Sequence, residues 1–469
     1  MTLDIRRDTK RALALLGRPN VGKSTLFNRL TRTRDALVAD TPGVTRDVKV
    51  GVGKLGSASY LVVDTGGIDD TGSPLAPQIS QQALLALKEC ECGLLLIDGR
   101  DGITGADREL ARQLRKSNKP LYLAVNKTEG HDPETITAEF AELGLNPVFA
   151  ISASHGSGVV AMIEEITAQW VTPEAEEGGA DDSIRVAICG RPNVGKSTLA
   201  NRMLGEQRMI TADLPGTTHD SVAVPMERHG HHYTLIDTAG LRRKSKVTDV
   251  VEKFSAIKSL QAIDLAHVVV VVLDAREGLS EQDLTVLGSV VECGRSLVIA
   301  VNKWDGLSPD LREAMKSEMD RRLDFVDFAT VHTISALHGT GVGDLFDSID
   351  AAWRSAHIEV PTKMLTELLE VALDRHNPPL VRGRRIKLRY AHFGAKNPPT
   401  IIIHGSQTDE VPVSYQRYLS NFFRSALKLV GTPVRIQFKY GDNPFKGRHN
   451  PLTRRQVQKR QRLVRHTKK

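Results

Sequence analysis

Residues 17 to 24 read Gly17-Arg18-Pro19-Asn20-Val21-Gly22-Lys23-Ser24, and Gly190-Arg191-Pro192-Asn193-Val194-Gly195-Lys196-Ser197 repeats them without a change. Two glycines with four residues between them, followed by Lys and Ser, form a pattern that wraps an anion. Gly17 and Gly22 let the backbone approach closely, so that consecutive N–H groups and a helix N-terminus point at phosphate oxygens. Lys23 and Lys196 then supply a mobile cation for the outer phosphates. Ser24 and Ser197 offer hydroxyls to Mg2+, which takes a few hard oxygen ligands and keeps several waters.

Further motifs follow each copy in the same order. Thr45, in the turn-rich stretch 40 to 47, can close over a third phosphate and ligate the metal through its hydroxyl; Thr218 stands 173 residues later, the offset that relates the two loops. Asp64-Thr65-Gly66-Gly67 ends an apolar run, with Ile68 next, and Asp237-Thr238-Ala239-Gly240 with Leu241 recurs at the same offset. There Asp64 and Asp237 can hold a metal-bound water, while the N–H groups of Gly67 and Gly240 can turn toward a γ-phosphate. Asn126-Lys127-Thr128-Glu129 and Asn302-Lys303-Trp304-Asp305 each follow another apolar run. A carboxylate at the fourth position can accept parallel hydrogen bonds from the N1–H and 2-amino group of guanine, which adenine does not offer. Glu129 is one methylene longer than Asp305, so guanine selectivity is less secure in the first site. Ser152-Ala153 and Ser335-Ala336 complete the two sets, with the Ala153 N–H aimed at a guanine O6.

These groups need strands that end beside one another. Apolar runs near 12–16, 59–63, 93–97, 120–125 and 147–151 alternate with amphipathic stretches. The alternation predicts an α/β fold with a mostly parallel, doubly wound sheet and phosphates at the strand ends. Everything recurs in the second copy, so a tandem duplication is expected. From 357 the grammar changes to an αββαβ order: helical spacing at 363–376, strands near 385–392 and 399–404, a helix near 415–430 and a strand at 434–440. The expected domains are 10–171, 184–356 and 357–445, with an acidic linker at 172–183 and a basic tail at 446–469, where disorder is expected.

Composition narrows the classes. No apolar run nears the roughly 18 residues that span a bilayer, and the expected setting is a reducing cytoplasm. The cysteines, four in all, read as packing residues. Charge is distributed unevenly: residues 380–469 hold 21 Lys or Arg against three acids, a net +18, so the first 379 residues carry −11 of the total +7. A cationic end of this kind fits a polyanion. Ten of these cations, and no acid, lie in 446–469, so binding to RNA should weaken steeply with salt.

The five-motif series resembles that of Ras-like GTPases, and two such domains followed by a basic α/β domain resemble the Der (EngA) family of ribosome-assembly GTPases over nearly the whole chain. The resemblance implies two tandem P-loop GTPase domains and a KH-like domain, GTP and GDP as ligands with Mg2+, GTP hydrolysis at both sites, and a monomer acting on rRNA in the large (50S) ribosomal subunit. A Ras-like site orients its attacking water with a Gln; Ile68 and Leu241 stand in that place, so intrinsic hydrolysis should be slow. Asn20 and Asn193 have two readings: a K+ ligand, as in similar GTPases, or a choice for turn geometry. The basic segment 241–246 is either a solvated loop or a switch. No Gly-x-x-Gly clamp lies between the helices of the last domain, so ordinary KH reading of RNA is not expected. A competing reading is an RNA-binding scaffold or chaperone with incidental nucleotide hydrolysis.

Overall fold

The computed structural model describes residues 11–32, 37–38, 49–58, 60–65, 76–130, 132–168, 170, 183–205, 223–236, 255–380 and 385–440. The first repeat contains β1 (Arg11–Leu16), α1 (Lys23–Thr31), β2 (Leu37–Val38), β3 (Lys49–Val52), β4 (Tyr60–Asp64), α2 (Ala76–Glu89), β5 (Cys92–Asp98), α3 (Gly105–Leu114), β6 (Leu121–Asn126), α4 (Pro133–Phe140), β7 (Val148–Ala150) and α5 (Val159–Ala168). The second contains β8 (Ile184–Cys189), α6 (Lys196–Gly205), β9 (Val224–Arg228), β10 (His231–Ile236), α7 (Ser255–Leu265), β11 (Val268–Asp274), α8 (Glu281–Cys293), β12 (Ser296–Asn302), α9 (Pro309–Arg322), β13 (Thr330–Thr333) and α10 (Val342–Ala356). The remainder holds α11 (Thr362–Arg375), β14 (Lys387–Ala395), β15 (Thr400–Ser406), α12 (Val413–Ala426) and β16 (Arg435–Tyr440).

Strand order is β2-β3-β4-β1-β5-β6-β7 in the first sheet and β13-β12-β11-β8-β10-β9 in the second. Among the described residues of these sheets only β2, β3 and β9 join antiparallel. Among these, β2 and β3 go beyond the five strands expected in the first repeat. In both sheets the first parallel strand has its next two parallel partners on opposite sides, β4 and β5 around β1, β10 and β11 around β8. Chain connections therefore diverge at the carboxyl ends of β1 and β8, opening a crevice there, as open α/β sheets do at a switch in strand order.

Period-2 alternation in fully buried strands supplies an apolar layer to each sheet face. In the first repeat Leu13 and Leu15 meet Leu26 and Phe27 of α1 and Ile163 of α5, while Ala12, Ala14 and Leu16 face the side of α2, α3 and α4. In the second repeat Val268, Val270 and Val272 lie with Leu199 and Phe346, and Val269 and Val271 with Leu260 and Leu287. The layer containing Leu16 and that containing Val269 form one continuous apolar cluster across the repeats. Lys54–Glu292 at 3.4 Å and Lys258–Glu89 at 3.7 Å add two ion pairs across the same boundary. All four cysteines are buried.

The chain separates into two units, the second made of residues 359–395, 400–426 and 434–469. Its described part has the expected αββαβ order, with β14 antiparallel and β16 parallel to the central β15. Among the described residues no helix is long and apolar enough to cross a membrane.

Packing gives the first expected outcome. Leu199, 0% exposed, fills the face under α6, whereas Leu337 is 65% exposed. Leu199→Ala should cost about 3 kcal/mol through lost burial and a cavity, and Leu337→Ala less than about 0.5 kcal/mol, measured by urea unfolding of the full chain.

Candidate functional site

Each anion loop leaves the central strand of its sheet and enters a helix whose first residue is the lysine, β1 to α1 and β8 to α6. The backbone explains the glycines. Gly17, Gly22, Gly190 and Gly195 have φ of 139°, 99°, 143° and 102°. A Cβ on Gly17 or Gly190 would strike the carbonyl oxygen of Leu96 or Val272, and one on Gly22 or Gly195 the side-chain amide of Asn126 or Asn302. Asn20 and Asn193 are left-handed too, at φ 64° and 62°, a conformation that Asn tolerates better than most residues. The left-handed turn thus suits these asparagines, whose side chains are exposed.

Lys23 Nζ donates to the carbonyls of Gly17 (2.9 Å) and Arg18 (2.7 Å), and Lys196 Nζ to those of Gly190 (2.9 Å) and Arg191 (2.6 Å). The cation expected to be mobile is instead clamped across its own loop. The side chains of Arg18 and Arg191 reach across to the next helix: their Nε atoms donate to Asp107 (2.8 Å) and Asp283 (2.9 Å), both 0% exposed. Those carboxylates also close capping boxes with Thr104 and Ser280 at the starts of α3 and α8. These bonds draw both guanidinium groups toward the starts of α3 and α8.

Ser24 Oγ donates to Asp64 Oδ2 at 2.8 Å, so two oxygens assigned to Mg2+ lie side by side. That donor set of hard oxygens fits the ion. Thr65 is tied elsewhere, its Oγ1 donating to the Leu15 carbonyl at 3.0 Å. Thr45, Gly66, Gly67, Ile68, Thr218, Asp237, Thr238, Ala239, Gly240, Leu241 and the basic segment to Lys246 lie outside the described residues.

On the base side the asparagines act as struts. Asn126 Nδ2 donates to the Val21 carbonyl (2.8 Å) and its Oδ1 accepts from Ala153 N–H (2.9 Å); Asn302 does the same with Val194 and Ala336, at 2.8 and 2.9 Å. The Ala153 N–H, expected to meet a guanine O6, is engaged here, as is that of Ala336, and a base oxygen has to share such a donor in a bifurcated bond. Thr128 Oγ1 donates to the Ile151 carbonyl at 2.9 Å and Trp304 N–H to that of Ile334 at 3.2 Å, so the third motif position fastens the two base loops together.

Glu129 accepts from Ser152 Oγ and Ser154 Oγ and lies 3.3 Å from both Arg100 and His155. The Ser152 bond foremost, then its own N–H, bring its carboxyl down to about 2, with His155 and Ser154 adding less. Asp305 is likewise held below the usual range by Ser335 and its own N–H, with His338 and Arg276 adding. Both are carboxylates at neutral pH, hence acceptors. The extra methylene of Glu129 does not remove it from the place Asp305 holds: each meets the serine of its own Ser-Ala pair.

Sequence reasoning missed two pairs. Lys127 Nζ donates to Asp98 (2.6 Å) and the Asn20 carbonyl (3.0 Å); Lys303 is bound to Asp274 and to the Asn193 carbonyl (3.0 Å). Burial alone would raise Asp98, but the Lys127 and Arg100 N–H bonds hold it below the ordinary range. The signal was an Asp closing an apolar run, with an Arg two residues on, in both repeats. Arg29 and Arg202 were also missed. From the last turns of α1 and α6 they donate to the carbonyls of Ala153 and Ser154, and of Ala336 and Leu337. Their 173-residue offset was the available clue.

Comparison with known proteins follows the same division. Residues 12–127 and 185–303 match a family described as 50S ribosome-binding GTPase, and 359–439 match the C-terminal KH-domain-like family of EngA bacterial GTPase enzymes. A protein of Thioalkalivibrio sulfidiphilus named GTPase Der is 55% identical over 461 residues, covering 97% of this chain and 99% of its own. Proteins of the same name from Escherichia fergusonii and Shigella flexneri are each 51% identical over 484 residues, with the same coverage.

The carboxylate geometry has a direct test. Replacing Asp305 by Asn turns one acceptor into a donor, which suits the 2-keto group of xanthine. For a site held by two charge-assisted bonds of about 1.5 kcal/mol each, Asp305→Asn should weaken guanosine nucleotide binding by about a hundredfold and strengthen xanthosine nucleotide binding, read by calorimetric titration of both.

Proposed function

The chain belongs to the GTPase Der (EngA) family and is a GTP-hydrolysing enzyme, and on that premise we propose that its two sites gate a factor for assembly of the large ribosomal subunit. In this reading a monomer in the cytoplasm binds ribosomal RNA through its basic C-terminal region while GTP is bound, and hydrolysis releases it. The observation that carries the proposal is the coexistence in one chain of two matched sets of motifs and a net charge of +18 over the last 90 residues. The description of the matching family as ribosome-binding supports the same partner.

The residues divide the work. The N–H groups of the anion loops hold the phosphates, with Lys23 and Lys196, fixed by two carbonyls each, presenting charge without a further loss of side-chain freedom. Glu129 and Asp305 read the guanine edge, and Asn126 and Asn302 keep base loop and phosphate loop at a fixed separation. Ser24 and Asp64, with Ser197 and Asp237 in the second site and Thr45 and Thr218 from the loops, would hold Mg2+, which when bound neutralises charge on the outer phosphates. Gly67 and Gly240 meet the γ-phosphate through their N–H groups. Ile68 and Leu241 give no group that can orient water, so the intrinsic rate is slow. Asn20 and Asn193, with exposed side chains, are available to K+, whose charge would stand where other GTPases use an arginine.

The test is co-sedimentation with ribosomal subunits. The full chain should pellet with large subunits in a non-hydrolysable GTP analogue and not in GDP; equal association in both would overturn the gate. Ending the chain after Phe445 removes ten cations and should leave GTP hydrolysis intact while lowering rRNA affinity and its salt dependence. Hydrolysis should respond to K+ and not to Na+, and Asn193→Ala should lose part of that response.

A further inference from the structure

The second unit has a surface that the nucleotide sites do not use. Its helices α11 and α12 pack on one face of the three-stranded sheet, with Leu388, Ala391, Ile401 and Ile403 at most 8% exposed. Thr366 of α11 donates to the Ala391 carbonyl at 3.1 Å on that side. On the other face stand three planar rings. Tyr390 and His404 are register partners across β14 and β15, their centroids 4.5 Å apart and their planes within 7°; His392 lies 5.0 Å from His404. Lys439 of β16 is the register partner of His404, extending the row to the third strand.

Solvent-facing sheet positions ordinarily carry polar side chains, and a ring cluster is a departure from that. Hydrogen bonding does not account for it, since His392 Nδ1 and His404 Nε2 have no partner. Burial, then His392 and Lys439, lower the pKa of His404, so its ring is neutral at pH 7 and suited to stacking. Between Leu388, paired with Gly405, and Tyr390, paired with His404, the strand holds one extra residue, Arg389. Such a bulge re-aims the side chains next to it; Arg389 is exposed, and Tyr390 is 43% exposed. Across β14, β15 and β16 there are four Lys or Arg and no acid. Aromatic rings on a sheet, interleaved with cations, are how single-stranded nucleic acid is held: bases stack while the cations follow the backbone.

We propose that this sheet face binds unpaired RNA, with a base stacked on the exposed ring of Tyr390 and flanking phosphates held by Arg389 and Lys439. The proposal rests on the reading that the chain acts on ribosomal RNA, and it locates a place for unpaired bases outside a Gly-x-x-Gly clamp.

The experiment uses the full chain and a single-stranded oligouridine carrying one 2-aminopurine, whose fluorescence is quenched on stacking. The wild type should quench it. Tyr390→Ala should abolish the quench and weaken binding roughly tenfold, as loss of one stacked base implies, while Tyr390→Phe keeps both. Tyr390→Ala should leave the salt dependence unchanged, whereas Arg389→Ala should flatten the slope of log affinity against log salt by about 0.7, the value for one phosphate contact on a single strand. If the wild type binds and quenches and Tyr390→Ala does the same, the stacking face is wrong and the ribosomal reading stands. An equal loss of duplex RNA binding in Tyr390→Ala would also overturn it, because a duplex offers no free base. Altered GTP hydrolysis with unaltered RNA binding in Tyr390→Ala would assign the face to a protein contact instead. If the wild type binds no RNA of any kind, the ribosomal reading itself fails.

Discussion

One side-chain amide in each nucleotide site holds together parts of the chain far apart in sequence. Asn126 joins Val21 of the phosphate loop to Ala153 of the base loop, and Asn302 joins Val194 to Ala336. An amide suits this place because it donates and accepts at once, and a carboxylate or a lysine does only one. Both ends of the bridge are buried, where a missing partner is costly. The left-handed glycine before the helix is required by the same atoms, since a Cβ there would meet this amide. Distance between phosphate grip and base reader is therefore set by a short rigid group and not by loop length.

A second layer of constraint comes from charge. Lys127 and Lys303 stand at positive φ, 65° and 61°, and each is tied to an aspartate at the end of the neighbouring strand. The register places Asp98 opposite Asn126 and Asp274 opposite Asn302, so the lysine reaches its partner over one strand spacing. Its other bond, to the loop carbonyl, shields that carbonyl from being left unpaired beside bound phosphate. Arg18 and Arg191 do the same work on the far side, joining each phosphate loop to the start of α3 or α8. The loop is thus pinned from two directions before any anion arrives, which lowers the ordering cost of binding.

The sequence made much of this legible because the relevant signals are local. Glycine spacing, alternating apolar runs and a fixed repeat offset each reflect backbone geometry within a short stretch, so the sheets, the helix following each loop and the αββαβ order could be read directly. Side-chain destinations could not. Nothing beside Arg18 in the sequence points to Asp107, 89 residues on, which only the fold brings to its Nε. Asp98 closes a strand as many structural aspartates do; its role depends on which strand lies next to it. Antiparallel β2 and β3 were missed because the first is two residues long and the second four, too short for a period to register. Glu129 is the converse case: a departure from the usual residue type that the geometry absorbs, since the same serine contact is kept.

The apolar layer shared by the two repeats, bracketed by Lys54–Glu292 and Lys258–Glu89, has a further meaning. Parting the halves would wet side chains that now touch only one another, a penalty that grows with area and holds wherever solvent is water. Duplicated halves joined by a string alone would bury nothing between them; these share one apolar layer. A displacement of either half would therefore have to slide along this layer or open it to water.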